Sequence, residues 1–298
     1  MYTLLQNQCM EKDQLSIKMG CSALGVSRSG YCKWIEKNKK HDSDTGEMNL
    51  KNEIQNIAIE FPRYGYRRIT IELHRRGFKV NHKVVHRLME EDNLLCIEKQ
   101  FVPRTTDSEH NLPTYRNLTK DLVIMVITAI NQYWTADITY IRLRQEFIYL
   151  AVVIDVYSRK CIGWKLSRDI DAKLALAALD MALMNRKDMD LLNLIHHSDQ
   201  GVQYASWEYV NRLMENGIKI SMSRKGNPYD NAFAESFMKT LKYEEVYLWE
   251  YETFDEAYKN IKKFLEVVYN KKRIHSSIGY NTPDEFEKLG EDLNSKVS

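Results

Sequence analysis

The sequence predicts a mixed α/β sheet with flanking helices, preceded by a smaller region that is entirely helical. Three observations lead to this fold class. The first hundred residues place apolar side chains at helical spacing among many arginines, and a polar segment with prolines follows them. Beyond that segment, three strand-like stretches lead into alternating helices and strands. A chain of 298 residues is long enough for one large domain or two to three small ones.

Composition and charge exclude several classes of protein. The hydrophobic content of 44% and charged content of 28% are ordinary for a soluble globular protein. The five cysteines are scattered and form no C-x-x-C pair, which argues against a zinc module and a disulfide framework and fits a reducing cytoplasm. No signal peptide is evident, and the longest apolar runs are too short to span a bilayer. We therefore expect a cytoplasmic protein without a membrane segment.

The N-terminal region predicts a series of helices. Ser27 is a candidate N-cap for a short helix, and apolar residues at helical spacing predict another over Met48–Glu60. The stretch Tyr64-Gly65-Tyr66-Arg67-Arg68 opens a further helix that Gly77 ends, and Val80-Asn81 begins the next. A helix, a glycine-containing turn and a second helix fit a helix-turn-helix, and they fit a plain helical hairpin equally well.

Arginines are concentrated in this helical pair. Between Phe61 and Arg104 there are ten Lys or Arg residues and five Asp or Glu residues. A solvated helix face explains any single arginine, whereas a cluster within a helix-turn-helix pattern favours phosphate binding. The sequence thus predicts DNA contacts at a set of four arginines: Arg67, Arg68, Arg75 and Arg76.

A polar segment with Pro103 and Pro113 marks the best domain boundary. The predicted organisation is a helical, helix-turn-helix-like region over residues 1–100, a linker over 101–119, an α/β core with C-terminal helices over 120–290, and a tail over 291–298. Within the core, alternation and apolar runs predict five strands, at Tyr133–Ile141, Phe147–Val156, Lys160–Leu166, Leu192–His196 and Ile218–Met222. Helical spacing predicts helices at Ala172–Met184, Trp207–Met214, Asn231–Tyr243 and Phe254–Tyr269.

Three carboxylates stand at informative places in this pattern. Asp137 interrupts the first strand, Asp199 follows the fourth, and Glu235 lies one turn into a later helix, with thirty-five residues between Asp199 and Glu235. Because the ends of adjacent strands and an abutting helix meet at one edge of a sheet, the three side chains can converge. Three carboxylates on one scaffold can hold two divalent ions about 3.5–4 Å apart, a device for in-line displacement at phosphate.

Helical geometry sets the direction of Glu235. Phe233, Phe237 and Leu241 recur every four residues and are predicted to form the buried stripe of this helix. At 100° per residue Glu235 lies roughly 200° around from Phe237, so it points away from the stripe.

Two lysines, Lys239 and Lys242, follow on the same helix face as Glu235. They fit either an i,i+4 ion pair with Glu235 or contacts to phosphate beside a metal site, and engagement of Glu235 by metal would favour the second interpretation.

The type of metal follows from the ligands. Carboxylate oxygens suit cations of the magnesium type, which keep some of their waters and leave room for phosphate. His196 and His197 suggest zinc, but no well-spaced set of further zinc ligands accompanies them, so the sequence favours magnesium. Asp155 is a competing carboxylate, which we interpret as a structural residue that bonds the turn at Ser158-Arg159.

Several motifs, in order as well as in content, resemble one family. They are Trp134-Thr135-Ala136-Asp137-Ile138-Thr139-Tyr140-Ile141, Asp155-Val156-Tyr157-Ser158-Arg159, His197-Ser198-Asp199-Gln200-Gly201-Val202-Gln203-Tyr204, and Ser223-Arg224-Lys225-Gly226-Asn227-Pro228-Tyr229-Asp230-Asn231-Ala232 running into Glu235-Ser236-Phe237. Tyr269-Asn270, Arg273, His275 and Thr282-Pro283 complete the set near the C-terminus, and Tyr64-Gly65-Tyr66-Arg67-Arg68 matches the family's upstream helical module. Over roughly residues 20–287 the chain resembles the DDE transposases of bacterial insertion sequences, in particular the second-reading-frame product of the insertion-sequence-three family.

This resemblance implies a fold and an activity. The fold is ribonuclease-H-like, of the retroviral integrase type, and the activity is DNA strand cleavage and strand transfer at the ends of the element. Asp137, Asp199 and Glu235 would be the catalytic residues and the ligands of two Mg²⁺ or Mn²⁺ ions. Beside this site the sequence predicts DNA contacts at Lys225, Lys239 and Lys242.

The resemblance also implies partners and a location. A homo-oligomer is expected because two element ends must be brought together. The absence of a sustained heptad suggests that an upstream-frame product or a frameshift fusion supplies the coiled coil of such systems. The expected location is the bacterial cytoplasm, in association with the nucleoid.

Two other functions are compatible with parts of the pattern. One is a sequence-specific DNA-binding regulator that uses the N-terminal helices and carries an inactive ribonuclease-H-like core. The other is a ribonuclease-H-like nuclease without strand transfer, against which the basic N-terminal module and the long C-terminal match both count.

Overall fold

The computed structural model describes residues 17–95, 113–118, 127–224 and 231–295. The chain divides into two compact units, Met1–Ile97 and Glu98–Ser298. Among the described residues, no helix is both long enough and apolar enough to cross a membrane.

The first unit is helical throughout its described residues, as predicted. Its helices are α1 (Ile17–Ala23), α2 (Arg28–Glu60), α3 (Tyr66–Arg75) and α4 (His82–Glu91). Ser27 caps α2, because its hydroxyl accepts a hydrogen bond from the Gly30 N–H at 3.0 Å. The prediction of a short helix after Ser27 and a separate one at Met48–Glu60 was wrong, since a single helix of 33 residues covers both.

A glycine turn and an asparagine cap set the boundaries of the helical pair α3–α4. Gly77 follows α3 with φ of 89°, a left-handed conformation that glycine adopts without strain. The Asn81 side chain then accepts a hydrogen bond from the Lys83 N–H and begins α4. Helices α2, α3 and α4 pack against one another and bury a small apolar core made of Ile54, Ile57, Ile69, Leu73, Val85, Leu88 and Met89.

The second unit is built on a five-stranded mixed sheet. Its strands are β1 (Tyr133–Arg142), β2 (Phe147–Asp155), β3 (Cys161–Ser167), β4 (Ile195–Ser198) and β5 (Lys219–Met222). They lie in the order β3-β2-β1-β4-β5. The first three strands form an antiparallel meander, while β4 pairs in parallel with both β1 and β5. The predicted mixed sheet is therefore confirmed.

Helices cover both faces of this sheet. They are α5 (Ala172–Asn185), α6 (Trp207–Glu215), α7 (Ala232–Glu244), α8 (Phe254–Lys263) and α9 (Pro283–Ser295). Because side chains alternate along a strand, Leu150 and Val152 of β2 pack on one face with α7 and α8, while Ala151 and Val153 pack on the other with α5 and α6. Gly163 permits the close approach of α5 to β3, since a Cβ there would lie 2.8 Å from Ala182 N.

Two predicted elements differ from those observed. The fourth strand is Ile195–Ser198 and not Leu192–His196, because Asn193 turns the backbone with φ of 67° and Leu192 is 76% exposed. The predicted helix Phe254–Tyr269 is α8 continued by a π-helix over Phe264–Lys272. The π-helix carries Asn270, whose side-chain amide bonds both main-chain groups of Cys161 at 3.0 and 2.9 Å.

The last helix is held by buried charge. Glu287 of α9 binds Arg186, and Lys160 lies 2.9 Å from the same carboxylate. Phe286 packs on Tyr157 with ring centroids 5.2 Å apart. Residues 113–118, within the predicted linker, also lie against this unit, since the Leu118 N–H donates to Ser221 Oγ at 3.0 Å.

Candidate active site

Asp137 occupies the middle of β1, just beyond the last residue of that strand that pairs with β4. The register of the two strands ends at Thr135 opposite His197. The Asp137 carboxylate accepts a hydrogen bond from the Ile138 N–H at 2.9 Å. Burial, together with the negative charges of Asp199 and Glu235, raises the pKa of Asp137 to about 7. The charges of the other two predicted site residues thus act directly on Asp137.

Asp199 is the first residue after β4, as predicted. Since β4 lies beside β1 in parallel register, the end of β4 brings this carboxylate next to the β1 segment that carries Asp137. The Gly201 N–H donates to Asp199 Oδ1 at 2.9 Å. A Cβ on Gly201 would lie 3.0 Å from the same oxygen, so a side chain there would crowd the carboxylate.

Glu235 lies in the first turn of α7, and its side chain is exposed. The predicted orientation away from the core is confirmed, since Phe237 and Leu241 are buried in the sheet-facing side of the helix. Phe233 was wrongly placed in the buried stripe, because it is 40% exposed. It contacts a distant turn instead, with the Arg159 guanidinium 4.6 Å above its ring centroid.

Asn231 attaches the start of α7 to β1, a contact that the sequence did not reveal. Its amide oxygen accepts a hydrogen bond from the Thr135 hydroxyl, and its amide nitrogen donates to the Ala136 carbonyl at 3.3 Å. Thr135 and Ala136 immediately precede Asp137, so one side chain fixes the helix that carries Glu235 against the strand that carries Asp137.

The three carboxylates suit a divalent cation in donor type and in charge. Within the described ranges, however, no three His, Cys, Asp or Glu side chains lie close enough together in this structure to hold a metal ion. A buried hydroxyl nearby supports the fit. Among the described residues Tyr204 Oη has no hydrogen-bond partner, and burial, followed by the charges of Tyr209, Asp137 and Asp199, raises the pKa of this hydroxyl. An unsatisfied buried hydroxyl beside two carboxylates suits a hydrated cation, whose waters offer hydrogen bonds.

The neighbouring histidines are engaged in other contacts. His196 Nε2 pairs with the Tyr209 hydroxyl at 2.9 Å. The two ring nitrogens of His197 pair with the hydroxyls of Ser221 and Ser223 at 2.9 and 3.0 Å. Burial lowers the pKa of His196 to about 3, which keeps it neutral. These side chains therefore support β4 and β5 and do not point to zinc.

Lys242 reaches the site, and Lys239 lies one turn before it on the same helix. Burial lowers the pKa of Lys242, and the charge of Asp137 opposes that shift. Lys242 Nζ lies 4.7 Å from the centroid of the Tyr140 ring, and Lys239 Nζ lies 5.9 Å from that of Tyr243. In the part of the chain that the structure describes, neither lysine forms an ion pair, so the alternative Glu235–Lys239 pair is not present. Lys225 lies outside the described residues.

Asp155 is structural, as predicted. Its carboxylate accepts hydrogen bonds from the main-chain N–H groups of Asn131 at 2.7 Å and of Tyr157 and Ser158 at 3.0 Å each. These bonds fix the turn that ends in Arg159, which has a left-handed φ of 65°. The turn thereby presents the Arg159 guanidinium to Phe233 at the start of α7.

The predicted arginines of the first unit have different surroundings. Arg67 and Arg68 stand over the rings of Tyr66 and Tyr64, at 5.2 and 5.4 Å from the centroids. Arg75 lies 3.6 Å from a Glu72 oxygen. Arg76 has three carboxylate partners within 3.1 Å, namely Glu53, Glu60 and Glu72. Arg76 therefore holds α2 to α3.

Family models match both parts of the chain. An integrase core domain family matches residues 128–228, and a second integrase core domain family matches residues 216–283. An HTH-like domain family matches residues 47–101, which include the α3–α4 pair. These matches place an integrase-type core after a helix-turn-helix-like region, the order predicted from the sequence.

Curated relatives are similar over most of their length. An uncharacterized 31 kDa protein of insertion element IS600 from Shigella sonnei is 38% identical over 90% of this chain and 97% of that protein. The transposase InsF for insertion sequence IS3A from Escherichia coli K12 is 34% identical over 93% of this chain and 96% of that one. The transposase for insertion sequence element IS904 from Lactococcus lactis is 41% identical over 76% and 88%.

Among solved structures, the HTLV-2 integrase catalytic core domain in complex with magnesium aligns with a TM-score of 0.38 and 16% identity, over 53% of this chain and 97% of that one. The ordered domain matches and the near full-length relatives together show that the chain belongs to the insertion-sequence transposases of the IS3 family, with an integrase core domain.

Proposed function

We propose that this transposase cleaves DNA at the ends of its element and joins the freed ends to target DNA at a site formed by Asp137, Asp199 and Glu235. The observation that carries the assignment is the convergence of three elements: Asp137 lies in β1, Asp199 follows the neighbouring strand β4, and Glu235 lies in α7. The charges of Asp199 and Glu235 add to burial in raising the pKa of Asp137. A chain gains no stability from gathering like charges, so their proximity is better explained by a cationic ligand.

The proposed cofactor is Mg²⁺ or Mn²⁺, with two ions held by the three carboxylates. When bound, such ions supply Lewis-acid activation of the attacking oxygen, first of water and then of a 3′-hydroxyl, and stabilise the leaving oxygen. The protein's part is to hold the ligands in place. The Gly201 N–H orients Asp199, the Ile138 N–H orients Asp137, and Asn231 positions the helix of Glu235.

Strand cleavage and joining on labelled element-end DNA, with Mg²⁺ or Mn²⁺, test the assignment. Asp199→Asn and Glu235→Gln are each expected to lower both reactions by at least about 10³-fold, because each variant loses a ligand of the ions that activate the attacking oxygen and stabilise the leaving oxygen. Glu208→Gln is the matched control, because Glu208 is likewise an exposed acid in the first turn of a helix, α6. Mn²⁺ binding to the same variants by calorimetry gives a second readout. Full activity in either site variant would refute the triad.

We propose DNA contacts at Lys225, Lys239 and Lys242 in the core and at Arg67, Arg68, Arg75 and Arg76 in the helical unit. Arg67 and Arg68 are the first residues to substitute, because the charge of Arg76 is already balanced by three carboxylates. Each phosphate contact contributes about 0.9 to the slope of log K against log salt. Arg67→Ala and Arg68→Ala are expected to reduce that slope by about 1 each. An unchanged slope would place the DNA elsewhere.

The proposed assembly is a homo-oligomer that holds two element ends, acting with an upstream-frame product or as a frameshift fusion in the bacterial cytoplasm. The proposed domain limits remain 1–100, 101–119, 120–290 and 291–298. Light scattering of the protein with and without element-end DNA tests the oligomer, and a single protomer on two joined ends would contradict it. A DNA-binding regulator with an inactive core is not favoured, since the relatives that match most of this chain include transposases.

A further inference from the structure

A strip of aromatic and lysine side chains leads outward from the carboxylate site. It is called the aromatic shelf here, and its members are Tyr140, Phe147, Lys239, Lys242, Tyr243 and Tyr247. The rings of Tyr140 and Phe147 meet edge to face at 5.7 Å, and those of Tyr243 and Tyr247 do so at 5.6 Å. The two ring pairs come from the β1–β2 hairpin and from the end of α7, so the shelf joins two elements of the core.

The shelf is one surface and is continuous with the site. Burial raises the pKa of Tyr247, and Tyr140 and Tyr243 lie close enough to add to that shift, so the two ring pairs are neighbours. Lys242 stands over Tyr140 and is coupled to Asp137. A DNA strand that lies along α7 and reaches the carboxylate site would therefore also contact the shelf.

The shelf is accessible and positively charged. Phe147 is 49% and Tyr247 47% exposed, although aromatic rings of this size are usually buried in a core. Across the described residues, Lys239 and Lys242 lie against ring faces and neither forms an ion pair, although the charge of Asp137 acts on Lys242. Exposed rings with interleaved unpaired lysines combine a surface for stacking with a charge that suits phosphate.

We propose that the aromatic shelf binds unpaired nucleobases of the DNA strand that leads into the carboxylate site. Bases within a duplex are stacked on one another and present only their edges, so a stacking surface selects single-stranded DNA. The lysines contact the phosphates between the stacked bases. The proposal deepens the proposed function, because it assigns an unpaired strand as the substrate next to the site.

Equilibrium binding of the full chain in EDTA tests this without catalysis. The probes are an element-end duplex with blunt ends, the same duplex with a single-stranded extension, and that extension carrying 2-aminopurine, whose fluorescence falls when the base stacks. The variants are Tyr247→Ala, Phe147→Ala and Tyr247→Phe. Trp207→Ala is the matched control, since Trp207 is 76% exposed and lies outside the shelf, on α6.

A stacked base contributes about 1–3 kcal/mol, which corresponds to roughly 5- to 150-fold in affinity. Tyr247→Ala and Phe147→Ala are therefore expected to weaken binding of the extended duplex by at least 5-fold, to leave the blunt duplex within 2-fold, and to restore the 2-aminopurine signal. Tyr247→Phe keeps the ring and should bind like the natural protein.

Equal losses on blunt and extended DNA, no loss on either, or a Tyr247→Phe defect as large as that of Tyr247→Ala would each overturn the proposal. Because these measurements use no metal, they separate the shelf from the triad. If the inactive Asp199→Asn variant still binds the extended duplex more tightly than the blunt one, the result supports the shelf. If an active protein binds both duplexes equally, the result overturns the shelf, and the proposal of a catalytic triad is unaffected.

Discussion

Glu287 offers a sharp test of how the C-terminal helix is held to the core. Its carboxylate accepts hydrogen bonds from both terminal nitrogens of Arg186, and Lys160 lies 2.9 Å away. Arg186 is only 3% exposed and Glu287 only 6%. In Glu287→Ala the guanidinium stays buried without its counter-charge, and removing one partner of a buried pair costs about 3–5 kcal/mol. We expect a loss of that size in the free energy of unfolding.

Urea unfolding of the full chain, followed by tryptophan fluorescence, measures this loss. Trp164 of β3 is 6% exposed and reports on the second unit. The control is Arg186→Met combined with Glu287→Leu, which removes both charges and should be neutral or stabilising. A loss below about 1 kcal/mol in Glu287→Ala, or an equal loss in the double variant, would refute the reasoning, because the defect would then not come from an uncompensated charge.

The pH dependence follows from the same pair. Burial raises the pKa of Glu287, but Arg186 and Lys160 outweigh burial and hold it below its ordinary value. A group whose folded pKa is depressed contributes stability above its unfolded pKa of about 4.3, and that contribution disappears as the pH falls through the folded pKa. The stability difference between the natural protein and Glu287→Gln should therefore be constant at neutral pH and shrink below about pH 4. A difference that grows with acidity would contradict the assignment.

Three further predictions concern close contacts. Gly163→Ala should lower the free energy of unfolding by about 3 kcal/mol in urea titrations, because a Cβ would overlap the Ala178 carbonyl and force α5 away from β3. Gly201→Ala should keep the urea midpoint but lower strand transfer by about 10–100-fold, because the new methyl group displaces the Asp199 carboxylate; unchanged transfer would contradict this. Asn231→Ala should lower the single-turnover rate of transfer while DNA affinity stays the same, and a loss confined to affinity would show that Asn231 does not position the site.

Much of the fold follows from local patterns. The strands β1, β2 and β3 and the helix α5 begin and end within about one residue of their predicted limits, since each is a sustained run of one period bounded by turn residues. The fourth strand was displaced because an apolar run does not show which of its residues pair with a neighbour. Only the partner strands β1 and β5 decide that, and they select Ile195–Ser198.

The site was predicted less completely than the strands. The helical period alone places Glu235 opposite the buried stripe, and the expected pairing of adjacent strands places Asp137, within β1, near Asp199, which follows β4. The helical period predicts the wrong environment for Phe233, because this side chain contacts Arg159, which lies in a turn distant in the sequence. The Asn231 contact with Thr135 joins residues that are 96 positions apart, and no local pattern carries such information.

The contact between Asn270 and Cys161 has a consequence for self-association. Strand β3 lies at one margin of the sheet, where unpaired main-chain groups ordinarily invite a strand from another molecule. The Asn270 amide occupies the outward N–H and carbonyl of Cys161 as a neighbouring strand would. A strand from a second copy could pair with Cys161 only after it had displaced the Asn270 amide from these two main-chain groups. The π-helix thus protects the margin of the sheet at the start of β3 against pairing with a second copy.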